Sequence, residues 1–414
     1  MPVMNIPSAD PIQSLRRLCE WLDKSDYSGY DPYDIKEKPG IILLTEKGNQ
    51  GLLFALIREF VFELFYSFPL LSRKLLRVEP KINAKAMGVL ARAYLELYEV
   101  LKEEQFLTKA RKCLQWLKEN QGKTLVGIGW GYPFHWQSKI LIPAGTPNGI
   151  VTTAAAEAFW HHHLLFGDEE SLDYCRGICE FLSSLPVDPA SQNGICFSYT
   201  PLFINHVHNL NLFVAEFLIK MGKLTGETTW TEMGNKAVNY TVEQQLPSGA
   251  FDYNGPPEKP QHHIDSYHTG FVIRMLFSIW KLTGRKDVYT ALEKCYRHYT
   301  AAFFEDGVIP KIMSHRKYRI DIHSCAEGIL CLSELSQVFP DAMQQAGKVL
   351  DWTLENLQDT SGYFYFGILK SRFTGIPFIS KIPYIRWGQA WMLRAMSSYL
   401  SANNRNKAYH ASSS

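Results

Sequence analysis

The sequence lacks the features by which several classes of protein are recognised. Its 43 Lys and Arg against 41 Asp and Glu give a formal net charge of +2, with no polybasic block. Nucleic-acid binding depends on concentrated positive charge, so we expect no nucleic-acid partner. The most apolar stretch, 51–76, is interrupted by charges such as Arg58, Glu59 and Glu63, which are costly at a bilayer centre. We therefore expect no membrane span here, but a buried helix or a helix on a membrane surface.

Targeting and cofactor motifs are also absent. Residues 1–14 lack the positive start and apolar core of a signal peptide, so we expect a cytoplasmic protein. The eight cysteines are scattered without a C-x-x-C pair, which predicts reduced core thiols rather than a disulfide framework or a zinc ribbon. There is no P-loop, no G-x-G-x-x-G and no G-x-S-x-G. The sequence therefore predicts no cofactor.

Two histidine runs invite a metal interpretation, 161–163 and 262–263. Adjacent side chains on a helix diverge by about 100°, so such a run cannot present all its imidazoles to one ion. Cys325 stands beside His323, but no second cysteine occurs at the corresponding repeat position. We expect no metal site.

What the sequence does contain is a repeat. The composition is globular, with 46% hydrophobic and 13% aromatic residues. Five times a helical segment runs into a Gly- or Pro-marked turn and a short aromatic stretch. The markers of these turns are spaced by 67, 54, 57 and 55 residues, and they are Trp130, Phe197, Phe251, Val308 and Tyr363. A step of about 55 residues holds two ordinary helices and their connections, so each repeat is predicted to be a helical hairpin.

Helical periodicity predicts an inner and an outer layer. The inner helices are expected over 84–101, 150–166, 210–224, 271–282, 325–335 and 391–400. Their outer partners are expected over 105–120, 169–184, 229–245, 286–304 and 341–357, with 50–76 closing the ring. The predicted fold is an all-α (α/α)6 toroid at 49–402, with an N-terminal helical extension and possible lid at 1–48 and a flexible tail at 403–414.

The connections of the predicted ring are unequal in length. Links from inner to outer helices have two or three residues, whereas links back to the inner layer reach more than twenty, as in 121–147. Long aromatic loops usually carry function. Since the inner helices of such a ring run parallel, their N-termini and all the long loops meet at one mouth, where we expect the functional site.

Several segments carry a family resemblance. They are GYDPYD (29–34), HNLNLFVA (208–215), DSYHTGF (265–271), HSCAEGI (323–329) and RWGQAWM (386–392). The chain resembles the six-hairpin glycosidase-like toroids: glycoside hydrolases, unsaturated-uronyl hydrolases, polysaccharide lyases and N-acylglucosamine 2-epimerase relatives. Within them it is similar to a bacterial and archaeal branch associated with surface-polysaccharide biosynthesis clusters. The resemblance implies a carbohydrate-active enzyme, with an oligo- or polysaccharide as partner and association with polysaccharide-assembly enzymes.

A second resemblance is weaker. The turn QDTSGYF (358–364) is similar to the Q-x-x-x-G-x-W repeats of terpenoid cyclases, which share a toroid. The acidic D-x-D-D motif that would accompany them is missing, which disfavours a terpenoid-cyclase-like toroid.

Polar residues at the expected starts of the inner helices are the candidate catalytic groups. They are Asp265, Tyr267, His268, Asp321 and His323. Each Asp and His share a first helical turn and can form an acid/base pair or a hydrogen-bonded support. Aspartate before a helix is also a good N-cap, so capping alone is an equal alternative for both carboxylates.

The same mouth supplies candidate substrate-binding residues. The polar candidates are Lys139, Asn148, His208, Asn209, Arg386 and Gln389, and the aromatic-loop candidates are Trp130, Tyr132, His135, Trp136 and Trp387, with 363–366 as a second aromatic stretch. Flat aromatic faces suit the C–H faces of pyranose rings, although the same rings could simply plug the toroid. Helix N-termini together with Arg386 and Lys139 favour an anionic sugar such as a uronate. Tyr30 and Asp31 are expected in a lid or a simple turn.

Three functions remain open from the sequence. Glycan hydrolysis would use Asp265 and Asp321 as the carboxylate pair. A lyase or a C5- or other sugar epimerase would use His268, His323 or Tyr267 as acid and base, with Arg386 or Asn209 stabilising the developing charge. A non-catalytic glycan-binding scaffold would need none of these groups for binding. The sequence favours an enzyme.

Overall fold

The computed structural model describes residues 10–188, 194–259, 264–372 and 374–412. Four helices come before the repeats: α1 (Pro11–Lys24), α2 (Pro39–Gly48), α3 (Leu52–Ser67) and α4 (Pro69–Leu75), with a 3₁₀ turn at Asp34–Glu37. Proline stands in the first turn of α1, α2 and α4. Its missing N–H costs nothing there, because the first N–H groups of a helix have no intrahelical partner.

Eleven helices of the described chain follow as hairpins. The inner helices are α5 (Ala84–Leu101), α7 (Gly149–Phe166), α9 (His208–Thr225), α11 (Ser266–Thr283), α13 (Ile322–Leu335) and α15 (Trp391–Ser412), the last preceded by a π-helical turn at Ile385–Ala390. The outer helices are α6 (Glu104–Glu119), α8 (Glu169–Ser183), α10 (Thr228–Glu243), α12 (Lys286–Ala302) and α14 (Ala342–Leu357). Each inner helix packs on the next, and α15 returns to α5. The predicted all-α (α/α)6 toroid is confirmed.

Short antiparallel strands brace the long loops at the mouth. β1 (Trp136–Gln137) pairs with β2 (Leu141–Ile142), β3 (Val187–Asp188) with β4 (Cys196–Phe197), and β5 (Phe304–Glu305) with β6 (Ile309–Pro310). β7 (Ile320–Asp321), β8 (Gly367–Lys370) and β9 (Pro377–Ser380) form one sheet in that order. In its register Asp321 is opposite Gly367, and Gly367 is opposite Ser380.

The inner helices share start and stop signals. Side-chain oxygens at four N-cap positions accept hydrogen bonds from backbone N–H groups of the first turn, at 2.9–3.0 Å: Asn83, Asn148, Asp265 and Asp321. Four inner helices end at a residue in the left-handed conformation: Lys102, Gly167, Gly226 and Gly284. These caps satisfy end groups of the helices and turn the chain sharply into the outer layer.

The ring is completed by a helix that we did not expect there. α1 packs against α14 and α15, in the place predicted for 50–76. Its Leu15, Leu18 and Leu22 recur on one face and are fully buried. α3, by contrast, has no buried residue. The prediction for 50–76 was wrong: α1 has a single apolar stripe that packs on the core, whereas α3 buries none of its residues.

The remaining differences concern helix ends and side-chain burial. α9, α11 and α13 begin several residues earlier than periodicity predicts, because their first turns carry polar residues that face the mouth. α15 continues to Ser412, into the segment predicted as a tail. All eight cysteines are buried as free thiols, as expected. Within the described residues, no helix combines the length and the apolar character that a membrane crossing requires.

Candidate active site

A cavity of about 620 Å³ opens at the end of the ring where the inner helices begin. Five inner helices, α5 to α13, supply wall residues from their first turns, and the π-helical turn before α15 supplies the rest. These residues are Lys85, Ile150, Asn209, Tyr267, His268, His323, Arg386 and Trp387. The starts of the six inner helices therefore meet at one cavity, as their parallel arrangement predicts.

The wall residues follow a fixed register. The N-cap residues of the six segments are Asn83, Asn148, Val207, Asp265, Asp321 and Tyr384. The second residue after each cap lines the cavity: Lys85, Ile150, Asn209, Tyr267, His323 and Arg386. Because the hairpins repeat the same entry geometry, this position points into the bore in every repeat.

His268 reaches the cavity from the first turn of α11, with 26% of its side chain exposed. Its Nδ1 lies 2.7 Å from Asp265 Oδ2, and Asp265 Oδ1 accepts the backbone N–H of His268 at 2.9 Å. A carboxylate accepts hydrogen bonds, so Nδ1–H is the donor, and in the neutral imidazole Nε2 carries the lone pair. Nε2 has no hydrogen-bond partner among the described residues, which leaves it available to a molecule in the cavity.

His323 is presented in the same way from α13. Its Nδ1–H donates to the Trp387 carbonyl at 3.1 Å, which again leaves Nε2 as the acceptor. Burial, followed by the positive charges of Lys85 and Arg386, lowers the pKa of His323 well below its usual value. The free imidazole is therefore neutral at pH 7.

Tyr267 stands between the two histidines. Its ring centre lies 4.3 Å from that of His268 and 4.9 Å from that of His323. Burial raises the pKa of its phenol well above 10, so the hydroxyl is a hydrogen-bond donor at neutral pH. The two histidines and a neutral donor thus meet at the cavity.

Arg386 and Asp31 form a buried bidentate ion pair. Nε and Nη2 of Arg386 donate to the two carboxylate oxygens of Asp31 at 2.6 and 2.8 Å. The guanidinium also lies 5.0 Å from the ring centre of Tyr132. Arg386 lines the cavity, whereas Asp31 lies behind it. The predicted lid residue Asp31 therefore orients Arg386, and the remaining guanidinium nitrogen has no partner among the described residues.

Lys85 is a buried cation at the floor of the cavity. Its Nζ lies 5.7 Å and 5.4 Å from the ring centres of Phe271 and Trp391, and it pairs with no carboxylate in the described part of the chain. Burial, and then the charge of Arg386, lowers the pKa of Lys85 to about 7. Residues 81–85 were expected at the mouth as the start of an inner helix, but Lys85 was not among the candidate binding residues.

Aromatic rings form much of the remaining wall. Tyr132 stacks on Phe134 with ring centres 5.3 Å apart, and Trp136 meets Tyr199 edge-on at 5.5 Å. Tyr33, Tyr253, Phe271 and Trp387 also line the cavity. The predicted platforms Tyr132, Trp136 and Trp387 are thus at the wall. The loop tyrosines Tyr199 and Tyr253 were not among the candidates, although each ends a short aromatic stretch that marks the repeat.

The rim carries a charged pair. Lys139 Nζ lies 2.8 Å from Glu258 Oε1, and Glu258 in turn lies 3.5 Å from the ring of His206. Glu258 is the one carboxylate among the described residues that line the cavity; Lys36, Lys85, Lys139 and Arg386 line it with positive charge. With the helix N-termini added, positive charge exceeds negative charge at the described wall.

The two candidate hydrolase carboxylates are not at the wall. Asp265 and Asp321 are fully buried and do not line the cavity. Asp321 Oδ1 caps α13, and its Oδ2 lies 3.2 Å from Arg319 Nε. Both act as helix caps, and Asp265 also holds His268. Their positions therefore do not support the prediction that this pair contacts substrate. Each is an N-cap residue, whereas the residue that points into the bore comes two positions later.

Other predicted binding residues also lie away from the cavity wall. Asn148 caps α7, and Gln389 exchanges two 2.8 Å hydrogen bonds with the backbone of Phe364. Trp130 is buried, with Nε1 donating to the Leu117 carbonyl at 2.9 Å. Tyr30 packs against the Arg73 guanidinium. These side chains build the ring rather than the cavity.

His135 and the second aromatic stretch differ from expectation as well. His135 is exposed on the rim, where its Nδ1 accepts the Ala144 N–H at 3.2 Å, and it does not line the cavity. In 363–366, Phe364 and Phe366 are buried and Tyr363 packs on Trp21 at 5.6 Å. This stretch therefore packs within the protein and does not form a sugar platform.

His208 and Asn209 face different directions because successive helix residues are rotated by about 100°. His208 points to α10, with Nδ1 3.4 Å from Thr241 Oγ1, and burial lowers its pKa to about 4. Asn209 lines the cavity, and its Oδ1 is buried without a hydrogen-bond partner in the described residues. Of the three predicted cavity histidines, the structure brings together His268 and His323.

No cluster of three or more His, Cys, Asp or Glu side chains suited to a metal occurs among the described residues. His161 pairs with Glu99 at 2.6 Å, while His162 and His163 contact Ser171 and the Asp168 carbonyl. The three imidazoles thus diverge, as predicted. His262 and His263 lie outside the described residues.

The sequence matches no described protein family and no protein of curated function. Solved structures do match the fold. A possible member of the GH105 family from Klebsiella pneumoniae has a TM-score of 0.63 at 11% identity, covering 97% of this chain and 95% of that one. Cellobiose 2-epimerase from Bacillus thermoamylovorans has a TM-score of 0.60 at 12% identity, covering 77% and 87%. The GH76 alpha-mannanase from Bacteroides thetaiotaomicron has a TM-score of 0.60 at 12% identity, covering 78% and 87%. At these identities the likeness shows the fold alone, an (α/α)6 toroid that this chain shares with these structures.

Proposed function

We propose that this chain is a carbohydrate-active enzyme that epimerises a sugar by removing and returning a proton at a carbon next to a carbonyl or carboxylate group. The observation that carries the proposal is the shared placement of His268 and His323. Each has Nδ1 fixed by an acceptor and Nε2 available at one cavity, with Tyr267 between them. Three solved structures with this fold are named as sugar epimerases, which supports this choice.

His268 is suited to the role of base. The carboxylate of Asp265, 2.7 Å from Nδ1, stabilises the imidazolium that forms when Nε2 takes the proton. In this step the C–H bond breaks and its electron pair moves into the neighbouring carbonyl or carboxylate, giving an enolate. Asp265 is therefore a positioning residue, as it does not touch the cavity.

His323 is suited to return the proton on the other face. In the protein alone, burial and then the charges of Lys85 and Arg386 lower the pKa of His323 and disfavour its protonated form. A bound anionic sugar offsets those charges and favours the imidazolium. The Nε2–H bond then breaks, the proton joins the substrate carbon, and the enolate electrons form the new C–H bond. His268 then releases its proton to solvent, and His323 takes its proton from solvent, so the cycle is redox-neutral and needs no co-reactant besides water.

Three groups can stabilise the enolate. Arg386 is held by Asp31 and contributes fixed positive charge, Lys85 lies at the floor, and the Tyr267 hydroxyl is a neutral donor. Preorganised donors of this kind act strongly in a cavity from which water is excluded. Asn209, with its buried amide oxygen unpaired among the described residues, is placed to accept a hydrogen bond from a sugar hydroxyl.

The substrate that fits best is a uronate-containing oligo- or polysaccharide. Four basic residues against one carboxylate at the described wall support an anion, and the tyrosine and tryptophan rings support pyranose faces. The resemblance to chains of surface-polysaccharide biosynthesis clusters supports a cytoplasmic role beside polysaccharide-assembly enzymes. Hydrolysis has less support, because Asp265 and Asp321 do not reach the cavity.

Solvent hydrogen exchange tests the proposal. The protein is incubated in D₂O with a panel of uronate oligosaccharides and neutral disaccharides. For a substrate, one sugar C–H signal should disappear from the proton NMR spectrum as the signals of its epimer appear. His268→Asn and His323→Asn should each slow this exchange by about 10²–10⁴-fold, the usual contribution of general acid–base catalysis.

His135→Asn is the matched control, because His135 is a rim histidine that does not line the cavity, and it should exchange at the wild-type rate. Release of reducing ends without deuterium incorporation would indicate hydrolysis instead. Ultraviolet absorbance of an unsaturated product would indicate elimination. Saccharide binding without any of these signals would overturn the enzymatic proposal in favour of a glycan-binding scaffold.

A further inference from the structure

The exposed apolar residues of the described chain are concentrated at one place. Of 24 exposed large hydrophobic side chains, 12 lie between Leu43 and Leu75, on α2–α4. The most exposed members in α3 are Leu52, Leu53, Leu56 and Phe60, and we call the exposed apolar face of α3 and α4 the α3–α4 surface. A monomeric protein in water rarely displays so large an apolar patch unless it has an interaction partner.

The exposed apolar residues continue around the mouth. Ile140 and Leu141 lie in the β1–β2 hairpin, Leu202 and Ile204 precede α9, and Ile376 and Ile379 lie in the β8–β9 hairpin. All of these segments are connections that return to the inner layer. The far ends of the ring, by comparison, expose only Leu164, Phe166 and Leu224 within the described residues.

The α3–α4 surface is continuous with the active-site cavity. Phe62 of α3 and Ile42 and Thr45 of α2 line the cavity wall. Arg372 of the β8–β9 hairpin lies 3.3 Å from Glu63 of α3, so the hairpin and the helix are joined. Anything that covers this surface therefore borders the cavity entrance.

The shape of the surface indicates what covers it. Leu52, Leu53 and Phe54 are all exposed, and three successive residues span about 200° of a helix. A protein partner usually packs on a narrower stripe, whereas an interfacial helix sinks a wide apolar face into lipid. Helices α2 and α4 carry Lys47 and Lys74, which are exposed and form no ion pair among the described residues, and such cations suit anionic headgroups. The described helices do not meet the requirements of a membrane span, so docking would be peripheral.

We infer that the mouth side of this protein docks on an anionic lipid bilayer through the α3–α4 surface. The cavity then opens beside the membrane surface. Taken with the proposed function, on which this step rests, the substrate class is a saccharide carried by a membrane lipid.

Vesicle flotation of the full chain tests the docking without any sugar, so its outcome is independent of the epimerase proposal. The probe is vesicles of phosphatidylcholine and phosphatidylglycerol in equal parts. The wild-type protein should float with the vesicles, and Leu52→Ser/Leu53→Ser should bind at least about tenfold more weakly, because burying both leucines in lipid favours binding in proportion to the apolar area removed from water. The matched control Leu164→Ser/Leu224→Ser alters exposed leucines at the far end and should bind as the wild type does.

Three results would overturn the inference. The first is a wild-type protein that stays at the bottom of the gradient, and the second is a double variant that floats equally well. The third is a dimer of the wild type in light scattering that the Leu52→Ser/Leu53→Ser variant loses while neither protein binds vesicles, which would assign the α3–α4 surface to a second copy of the chain. Circular dichroism spectra that match between variants establish that both retain the fold.

Discussion

Lys85 shows how a single residue acquires a property from its surroundings. A lysine in water has its usual high pKa, but this one is enclosed by the ring and faces Phe271 and Trp391. Arg386 and His323 are near, and Glu327 and Asp31 act only from a distance. Because burial and like charge both oppose ionisation, the pKa of Lys85 falls to about 7.

This shift predicts a pH-dependent affinity for anions. Lys85 binds a uronate carboxylate only when protonated, so affinity should weaken as pH rises through 7. Lys85→Met should raise the dissociation constant of a uronate at pH 6.5 by roughly 10–100-fold, the range for a hydrogen bond to a charged group of about 1.5–3 kcal/mol. Calorimetric titration at pH 6.5 and 8.5 checks this.

A neutral sugar of the same size is the control ligand, since its affinity should change little between the two pH values. If Lys85→Met retains the wild-type pH dependence toward the uronate, then another group is responsible for it.

At the scale of elements, the ring depends on close helix contacts. Gly88 of α5 lies against the backbone of α7, where an added Cβ would be 2.5 Å from the Ala154 carbonyl oxygen and 2.8 Å from the Ala155 nitrogen. The neighbouring atoms are backbone rather than flexible side chain, so they cannot move aside cheaply. Glycine is required here by the approach of two helices rather than by its dihedral freedom.

Gly88→Ala is therefore expected to destabilise the fold by about 1–3 kcal/mol, the usual cost of overpacking. Gly40→Ala in α2 is the matched control, because an added Cβ there would meet no atom of the described chain within 4 Å, and alanine favours helix. Equilibrium urea unfolding should give a lower midpoint for the first variant and an unchanged or slightly higher midpoint for the second. Equal midpoints would mean that α5 and α7 separate easily.

At the scale of the whole molecule, a belt of buried charges links the inner helices below the active-site cavity. It borders a second cavity of about 490 Å³ at the far side of the bore. Glu157–Lys220 joins α7 to α9 at 2.6 Å, and Arg274–Glu334 joins α11 to α13 at 2.9 Å. Arg394 of α15 closes the circle, at 3.1 Å from Glu334 and 2.6 Å from Glu96 of α5.

Loss of Arg394 should weaken the closure of the ring. Arg394→Met leaves Glu96 and Glu334 without their shared partner and is expected to cost about 3–5 kcal/mol, as for other broken buried ion pairs. Arg297→Met removes an exposed pair with Glu293 and should cost less than about 1 kcal/mol. Urea unfolding of both variants measures the two losses of stability. If both losses are similarly small, then packing alone closes the ring of helices.

The sequence by itself determined the repeat and the layers. Helical hairpins follow from local periodicity and from turn residues such as Gly167 and Gly226, whose effects act within a few residues. The position of the mouth also followed, because unequal loop lengths and parallel inner helices admit only one arrangement. His268, His323 and Arg386 were found for this reason.

Only the tertiary structure decided which neighbour faces the cavity and which packs behind it. His208 and Asn209, or Asp321 and His323, differ by one or two residues, and helix rotation alone separates their surroundings. Three features depend on contacts between residues far apart in the chain. α1 closes the ring, α3 is exposed, and Lys85 is buried without a carboxylate partner among the described residues. Such long-range packing leaves no local pattern in the sequence, because it is fixed only when all the hairpins meet.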